Sequence, residues 1–291
     1  MRFTKWQDYE LLDASGEERL ERWGDIILIR PDPQIIWKTE KTHPLWKNPH
    51  AIYHRSNTGG GSWDIKKTIP TSWQISYQNL KFNIKLMNFK HTGVFPEQAV
   101  NWDLFSKIIT SNKKPMNVLN LFAYTGGASL ACAKAGAKVC HVDASKGMTS
   151  WARDNAEISN LSDKPIRWII DDCEKFVARE IRRGNKYEGI IMDPPSYGRG
   201  PKGELWKIEE NLYQFVSTCE KLLSDEAKFF VINSYSTGFS HSVIGYLLSE
   251  AIQKKHGGYV YSDEIGIPVS GSGLTLPSGA TAIWSKDKLF D

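Results

Sequence analysis

The sequence predicts an α/β fold: a doubly wound, mostly parallel sheet preceded by a small β-rich N-terminal domain. Beyond residue 116, short apolar strand patterns alternate with helical patterns at regular spacing, as in parallel sheets with crossover helices. Before residue 91, short alternating segments are separated by proline and glycine instead, which is typical of a small β-domain. We therefore expect two domains, residues 1–90 and residues 91–291.

The N-terminal region is predicted to contain short strands. They are expected at 9–13, 25–30, 73–77 and 81–86, with a single helical turn at 15–23 and a flexible glycine loop at 59–61. Residues 88–101 join the two parts, and residues 102–109 are predicted to form an amphipathic helix.

Six of the eleven tryptophans fall in the N-terminal region. Large aromatic residues commonly build the core of a small β-domain, and we favour that interpretation. The alternative is that Trp46 and Trp63 stack bases while nearby basic residues neutralise phosphates. These basic residues are Lys47, His50, His54, Arg55, Lys66 and Lys67. Residues 1–90 contain 14 Lys and Arg against 10 Asp and Glu, whereas the rest is balanced. This excess indicates a polyanion partner only weakly, since a solvated surface is equally compatible with it.

The second region has the regular alternation of an open parallel sheet. Strands are expected at 117–122, 137–142, 166–170, 187–192 and 228–233, and helices at 127–135, 146–158, 173–183, 208–223 and 240–255. Residues 258–261 and 281–284 are predicted to close the sheet as an antiparallel pair. The glycine- and proline-rich loop between them is long, so we expect it to line a site.

The stretch that organises the chain is a buried strand followed by a glycine turn and a small-residue helix. Residues 118–122 are mostly apolar, and Gly126 and Gly127 open the helical pattern. Such a turn lets a nucleotide-like ligand approach the backbone closely, although any α/β domain can contain a tight turn. The next strand pattern ends in Asp143, where these folds bind a ribose diol. The turn lacks the G-x-G-x-x-G pattern, which argues against NAD.

Three motifs carry a family resemblance. They are Asn-Leu-Phe-Ala-Tyr-Thr-Gly-Gly-Ala-Ser at 120–129, Val-Asp-Ala-Ser at 142–145 and Asp-Pro-Pro-Ser-Tyr-Gly-Arg-Gly at 193–200. The chain resembles the class I S-adenosylmethionine (SAM) methyltransferases over roughly residues 92–285, and within them the branch of bacterial large-subunit ribosomal RNA base methyltransferases. The resemblance implies a Rossmann-like fold, SAM as cofactor and RNA as the best substrate prediction.

The resemblance also implies site residues. Asp143 would bind the ribose, Asp172 the adenine amino group, and Asp193 would lie at the reaction site, with Asp171 as an alternative to Asp172. The predicted cofactor-binding residues are Phe95, Gln98, Asn120, Phe122, Tyr124, Thr125, Gly126, Gly127, Asp143, Ala144, Ser145, Asp172 and Cys173. The predicted catalytic segment is Asp193, Pro194, Pro195 and Ser196, a stiff turn that aims the acceptor at the methyl group.

The acceptor is narrowed by a departure from the family pattern. Relatives that methylate cytosine at C5 carry a cysteine in a Ser-Cys-Ser pattern after the fifth strand, where this chain has Asn-Ser-Tyr-Ser at 233–236. A cysteine nucleophile is therefore not expected. The Asp-Pro-Pro-Ser turn also differs from the Asn-Pro-Pro-Tyr usual for exocyclic amines. Ring-nitrogen and hydroxyl methylation stay open, and so does a non-RNA acceptor.

Other function classes are disfavoured by composition. No apolar run is long enough to span a membrane, and the first residues contain no apolar signal core, so we expect a cytoplasmic location. The four cysteines form no C-x-x-C pair, which argues against a metal site or a disulfide framework. The alternatives are a methyltransferase that acts on a small molecule or a protein, and a non-catalytic protein that binds a nucleotide or SAM.

Overall fold

The computed structural model describes residues 1–56, 60–199, 205–236 and 238–290, apart from the side chain of Arg199. Gly59 of the predicted glycine loop and Gly200, at the end of the Asp-Pro-Pro motif, lie outside the described residues. The chain forms two compact units. The small unit comprises Phe3–Ala99 and Gly266–Pro277, and the large unit Met1–Arg2, Val100–Ile265 and Ser278–Asp291. The division into two domains at residue 90 stays a prediction.

The small unit is β-rich. Its strands are β1 (Tyr9–Ser15), β2 (Glu18–Trp23), β3 (Ile26–Pro31), β4 (Ala51–Arg55), β5 (Gly61–Ile65), β6 (Trp73–Tyr77) and β7 (Leu80–Ile84). The first five form one sheet in sequence order, and the last two pair separately. Within the five-stranded sheet only the β3–β4 pair is parallel. The unit also contains two short 3₁₀ helices, Pro44–Lys47 and Pro96–Gln98.

The helical turn predicted at 15–23 is wrong, because Glu18–Trp23 is the strand β2. Its charged residues resemble a solvated helix in sequence, but Glu21 is fully buried. The Glu21 carboxylate accepts from Arg30 Nε at 2.5 Å and Nη2 at 2.8 Å, and from the Tyr9 hydroxyl at 2.8 Å. A buried charge is tolerated only when it is paired in this way.

The large unit contains the predicted alternation of strands and helices. The strands are β8 (Asn117–Leu121), β9 (Lys138–Asp143), β10 (Ile166–Ile170), β11 (Gly189–Met192), β12 (Tyr197–Arg199), β13 (Leu205–Lys207) and β14 (Phe229–Ser234), followed by β15 (Tyr259–Pro268) and β16 (Thr275–Ser285). The helices are α1 (Ala99–Ser111), α2 (Gly127–Lys134), α3 (Lys146–Ile158), α4 (Cys173–Arg182), α5 (Ile208–Cys219), α6 (His241–Leu248) and α7 (Lys254–His256), with a 3₁₀ turn at Glu220–Leu222 and a π-helical turn at Ser249–Gln253.

The central sheet has seven strands in the order β10-β9-β8-β11-β14-β16-β15. The first five are parallel, and β16 runs antiparallel to β14. Leu121, Met192 and Ile232 are at the same level in β8, β11 and β14. The segments that follow these strands therefore emerge along one edge, where open parallel sheets bind ligands. This architecture confirms the predicted doubly wound, mostly parallel fold with a β-rich N-terminal region.

Two segments in the second half of the chain differ from the sequence prediction. The hairpin β12–β13 was not predicted, although it directly follows the Asp-Pro-Pro turn. The prediction of a long loop between residues 261 and 281 is wrong, because β15 and β16 extend until only residues 269–274 separate them. Glycine and proline usually interrupt strands, but β15 is an edge strand and tolerates Gly266 and Pro268.

Within the described ranges, no helix has the length and apolar character that crossing a membrane demands. No group of three or more His, Cys, Asp or Glu in those same ranges is arranged to hold a metal ion. All four cysteines are free and buried. The cytoplasmic location and the lack of a resident metal stay predictions.

Candidate active site

The turn after β8 has an unusual backbone. Phe122 and Tyr124 have φ of 55° and 51°, and Gly126 has φ of 90°. Positive φ is costly for residues other than glycine and persists only where the surrounding structure enforces it. Two contacts do so here: the Ala123 N–H donates to the Val142 carbonyl at 3.1 Å, and Asn155 Nδ2 donates to the Thr125 carbonyl at 3.0 Å.

The glycine pair of this turn is required by packing. A Cβ at position 127 would lie 2.4 Å from Cζ2 of Trp102, and one at Gly126 would lie 3.0 Å from Cβ of Ala152. Both distances are shorter than a carbon–carbon contact allows. The glycines therefore let α1 and α3 pack directly against the turn and hold its backbone at the edge of the sheet.

Asp143 is joined to the turn by its carboxylate. One oxygen accepts from the Tyr124 N–H and the other from the Ser145 N–H, each at 2.8 Å. Burial raises the pKa of Asp143, and the two N–H donors oppose that rise. Since a carboxylate has about four acceptor positions, each oxygen keeps the capacity to accept a further hydroxyl. The side chain is only partly accessible, held in a fixed orientation, and fits a ribose diol.

The residues after Asp143 begin the next helix. Ala144 and Ser145 are exposed. Ser145 caps α3, since its Oγ accepts from the Met148 N–H at 3.3 Å. Ser145 therefore fixes where α3 begins, and its N–H simultaneously orients Asp143.

Asp172 caps α4, because its Oδ1 accepts from the Lys175 N–H at 2.9 Å. The neighbouring Asp171 instead forms an ion pair with Arg179. Cys173 is buried, its Sγ accepts from the Phe122 N–H at 3.4 Å, and burial raises the pKa of its thiol. The start of α4 is thereby connected to the turn after β8, and Asp171 is already engaged by a cation.

Asn120 belongs to a buried polar network under the turn. Its Nδ2 donates to Ser129 Oγ at 2.9 Å, and that hydroxyl lies 3.0 Å from His141 Nδ1. His141 Nε2 has no hydrogen-bond partner among the described residues. Burial lowers the pKa of His141 to about 3, so the ring is neutral at pH 7. The network links β8, α2 and β9 without a buried charge.

The predicted catalytic segment follows β11 at the same edge. Asp193 is partly buried and Pro194 is buried, while Pro195 and Ser196 are exposed. The Pro195 carbonyl accepts from Trp206 Nε1 at 2.6 Å. Ser196 Oγ accepts from Ser236 Oγ at 2.6 Å, which joins this segment to the one that follows β14.

Trp206, in β13, is a site residue that the sequence analysis missed. Its ring lies 5.6 Å from that of Phe122 and 5.7 Å from that of Phe215, within the range of favourable aromatic pairs. It therefore connects the turn after β8 with the Asp-Pro-Pro turn. Sequence alone offered only an aromatic residue in a segment with no predicted structure.

Phe95 and Gln98 belong to the small unit. Phe95 is half-buried with its ring 5.3 Å from that of His91, and Gln98 is buried. Their predicted contact with the cofactor stays a prediction. The large unit itself brings together the turn after β8, Asp143, the start of α4 and the Asp193 segment. This arrangement places a carboxylate that can accept further hydrogen bonds and a rigid proline turn at the same edge of the sheet.

Comparison with known proteins decides the family. The family model for the S-adenosylmethionine-dependent methyltransferases matches residues 48–227, more than half of the chain. The chain belongs to the SAM-dependent methyltransferases. This confirms the predicted family, enzyme class and cofactor. The individual roles of the site residues stay predictions.

Two solved structures are similar to this methyltransferase. It is 36% identical to the SAM-dependent methyltransferase from Agrobacterium tumefaciens, with a TM-score of 0.92 over 97% of this chain and 92% of that one. A candidate methyltransferase solved in complex with SAH is 18% identical, with a TM-score of 0.72 over 97% and 76% of the two chains, and shows the shared fold alone.

Curated relatives match a shorter part of the chain. Ribosomal RNA large subunit methyltransferase K/L of Shewanella frigidimarina is 32% identical over 156 residues, which is 53% of this chain and 21% of that protein. The chain thus spans about a fifth of the length of this curated relative.

Proposed function

We propose that the chain transfers a methyl group from SAM to a base of ribosomal RNA without a cysteine nucleophile. The observation that carries the proposal is the 32% identity to a ribosomal RNA large subunit methyltransferase. The geometry agrees with it, since a diol-binding carboxylate and a rigid proline turn lie along one edge of the sheet. A cytoplasmic location belongs to the same proposal.

The chain's own residues would bind and align. SAM supplies an electrophilic methyl group, whose bond to sulfur breaks as the bond to the acceptor forms. Asp143 holds the ribose, as its remaining lone pairs allow. The Asp193 segment is braced by Trp206 and Ser236, so it can hold an acceptor in line and exclude water. Asp193 would accept a proton when the acceptor atom carries one.

The buried cysteines support a mechanism without a covalent intermediate. Cys219 is fully buried in the core and Cys173 is 4% exposed. Burial raises the pKa of both thiols, so the thiolate that attacks a base would be scarce at neutral pH. Tyr235 and Ser236 occupy the segment after β14, and neither is a nucleophile for C5 chemistry.

The test is mass spectrometry of ribosomal RNA nucleosides from cells with and without the gene. We expect one methylated base to disappear with the gene and to return with the wild-type chain. Cys219→Ser should restore it, whereas Asp193→Asn should fail to restore it when the acceptor atom carries a proton that Asp193 must accept. In parallel, purified chain with methyl-labelled SAM should label naked ribosomal RNA or a ribosomal subunit. Label found only in protein or in small molecules would contradict the RNA proposal.

A further inference from the structure

Tyr235 is the first residue beyond β14, and its ring lies over a glycine of the adjacent strand. Ser234 pairs with Ala280 of β16, so Gly279 is the next residue opposite Tyr235. A Cβ at Gly279 would lie 2.9 Å from Cε1 and 3.2 Å from Cδ1 of the ring. The Tyr235 ring can therefore take this position only because Gly279 has no side chain.

A second contact fixes this segment from the other side. Ser236 Oγ donates to Ser196 Oγ at 2.6 Å, and the Ser196 carbonyl accepts from the Ile208 N–H at 3.1 Å. Ser196 ends the segment that begins with Asp193. Tyr235 is thus held beside the predicted catalytic segment, on the edge of the sheet where Asp143 also lies.

A half-buried aromatic ring at this edge suits a flat acceptor. Tyr235 is only partly buried, and because Gly279 has no Cβ, the edge of the Tyr235 ring can lie directly against this residue. Accessible aromatic rings stack planar bases, and stacking aligns a base without distinguishing one base from another. In-line methyl transfer needs this alignment more than it needs charge.

We propose that Tyr235 is a substrate-positioning residue on which the acceptor base stacks, and that Gly279 is glycine to keep the ring in place. This inference rests on the proposed function, because it takes the acceptor to be a nucleobase. The competing explanation is structural: the ring would cover Gly279 to stabilise the β14–β16 pair, as aromatic residues do across from glycine in sheets.

The test compares Tyr235→Phe, Tyr235→Ala and Tyr246→Ala in the full chain. Tyr246 lies on α6 with 70% of its surface exposed and serves as the matched control. For Tyr235→Ala we expect KM for the RNA to rise about 10- to 100-fold, the scale of one lost stacking contact. Tyr235→Phe keeps the ring and should stay within about 3-fold of wild type. SAM affinity should not change in any of the three variants.

Gly279→Ala provides a variant in which Tyr235 is chemically intact. The added methyl group must displace the ring, so KM for the RNA should rise as in Tyr235→Ala. The double variant Gly279→Ala, Tyr235→Ala should then show no further rise, because both changes remove one contact. Additive losses in the double variant, or an unchanged KM in Tyr235→Ala with a lowered Tm, would overturn the inference.

The two proposals fail in different ways. If the wild-type chain methylates RNA and Tyr235→Ala keeps the wild-type KM, only the positioning role fails. If the wild-type chain transfers no methyl group to RNA, the proposed function fails, and the assignment of a base to Tyr235 fails with it.

Discussion

Asn155 donates a buried hydrogen bond of 3.0 Å to the backbone carbonyl of Thr125. Asn155 lies in α3, which follows β9, whereas Thr125 lies in the strained turn that follows β8. Through this bond, α3 holds the backbone of the turn between β8 and α2 in place. It helps to maintain the positive φ of Tyr124, whose N–H orients Asp143.

The first prediction concerns this bond. Asn155→Ala leaves the Thr125 carbonyl buried without its donor, so the free energy of unfolding should fall by about 1–3 kcal/mol. Because the turn also orients Asp143, calorimetry should show weaker SAM binding in the folded variant. Asp154→Ala, an exposed neighbour in α3, is the control and should change neither quantity. Unchanged SAM affinity in a folded Asn155→Ala protein would remove the link between α3 and the cofactor.

The second prediction concerns Asp143. Asp143→Ala should weaken SAM binding by about 1.5–3 kcal/mol, the scale of charge-assisted hydrogen bonds. Burial raises the pKa of this carboxyl, and a diol prefers the ionised form. Affinity should therefore be full above that pKa and fall as the pH drops through it, starting at a higher pH than for an ordinary aspartate.

Adenosine is a suitable ligand for the pH series, because it keeps the ribose and lacks the titrating amino-acid end of SAM. Calorimetric titration across the acidic range should show the pH dependence in the wild-type chain. Asp143→Asn has no carboxyl group to titrate, so its weaker binding should keep only the pH dependence of the adenine ring, which both proteins share. Parallel pH curves for the two proteins would refute the assignment of Asp143 to the ribose.

The third prediction concerns the buried pair of Glu21 and Arg30. Burial acts to raise the pKa of Glu21, but the guanidinium groups of Arg30 and Arg19 and the Tyr9 hydroxyl together outweigh it and hold this pKa below its usual range. Glu21→Gln leaves a buried guanidinium without its counter-charge, so urea unfolding at pH 7 should show a loss of about 3–5 kcal/mol. Glu18→Gln, in the same strand but in a partly exposed pair with Lys41, should cost at most about 1 kcal/mol.

The sign of the pH effect follows from the lowered pKa of Glu21. Its stabilisation is complete above the unfolded-state value of about 4.3 and is lost as the pH falls through the folded-state value. The difference in stability between wild type and Glu21→Gln should therefore shrink in acid. A difference that stays constant down to the acid transition would mean that the ion pair contributes nothing beyond packing.

This pair also explains what the sequence could not predict. The sequence Glu-Arg-Leu-Glu-Arg-Trp resembles a solvated helical turn because most of its residues are charged. It forms a strand instead because its charged side chains have partners outside β2. Arg30 lies in β3, and Asp32, which pairs with Arg19, lies just beyond it. Local sequence patterns carry no information about pairing between distant charged residues. The sequence therefore predicts a solvated helical turn, which is the commoner structure for such a charged segment.

The position of the site at the sheet edge was predictable, because it depends on local strand patterns and on parallel topology. Asp143 is the last residue of β9 and Asp193 directly follows β11, and parallel topology brings the ends of such strands to one edge. The contacts between those segments were not predictable. Ser196 and Ser236 are 40 residues apart, and Trp206 reaches Phe122 only through the hairpin that the sequence did not indicate.

The last prediction separates two tryptophans of the small unit. Trp46 is 9% exposed and packs in a core cluster with Leu12, so Trp46→Ala should cost about 3–5 kcal/mol of stability and leave RNA affinity unchanged in the folded protein. Trp63 is half-buried, and its Nε1 donates to the Met87 carbonyl at 2.8 Å. If it stacks a base, Trp63→Ala should weaken RNA binding by about 1–3 kcal/mol at every salt concentration.

The double change Lys66→Ala, Lys67→Ala should instead flatten the salt dependence of binding, because each contact with a phosphate releases counterions. A fall in Tm for Trp63→Ala as large as that for Trp46→Ala, with unchanged RNA affinity, would make both tryptophans core residues and confine RNA recognition to the large unit.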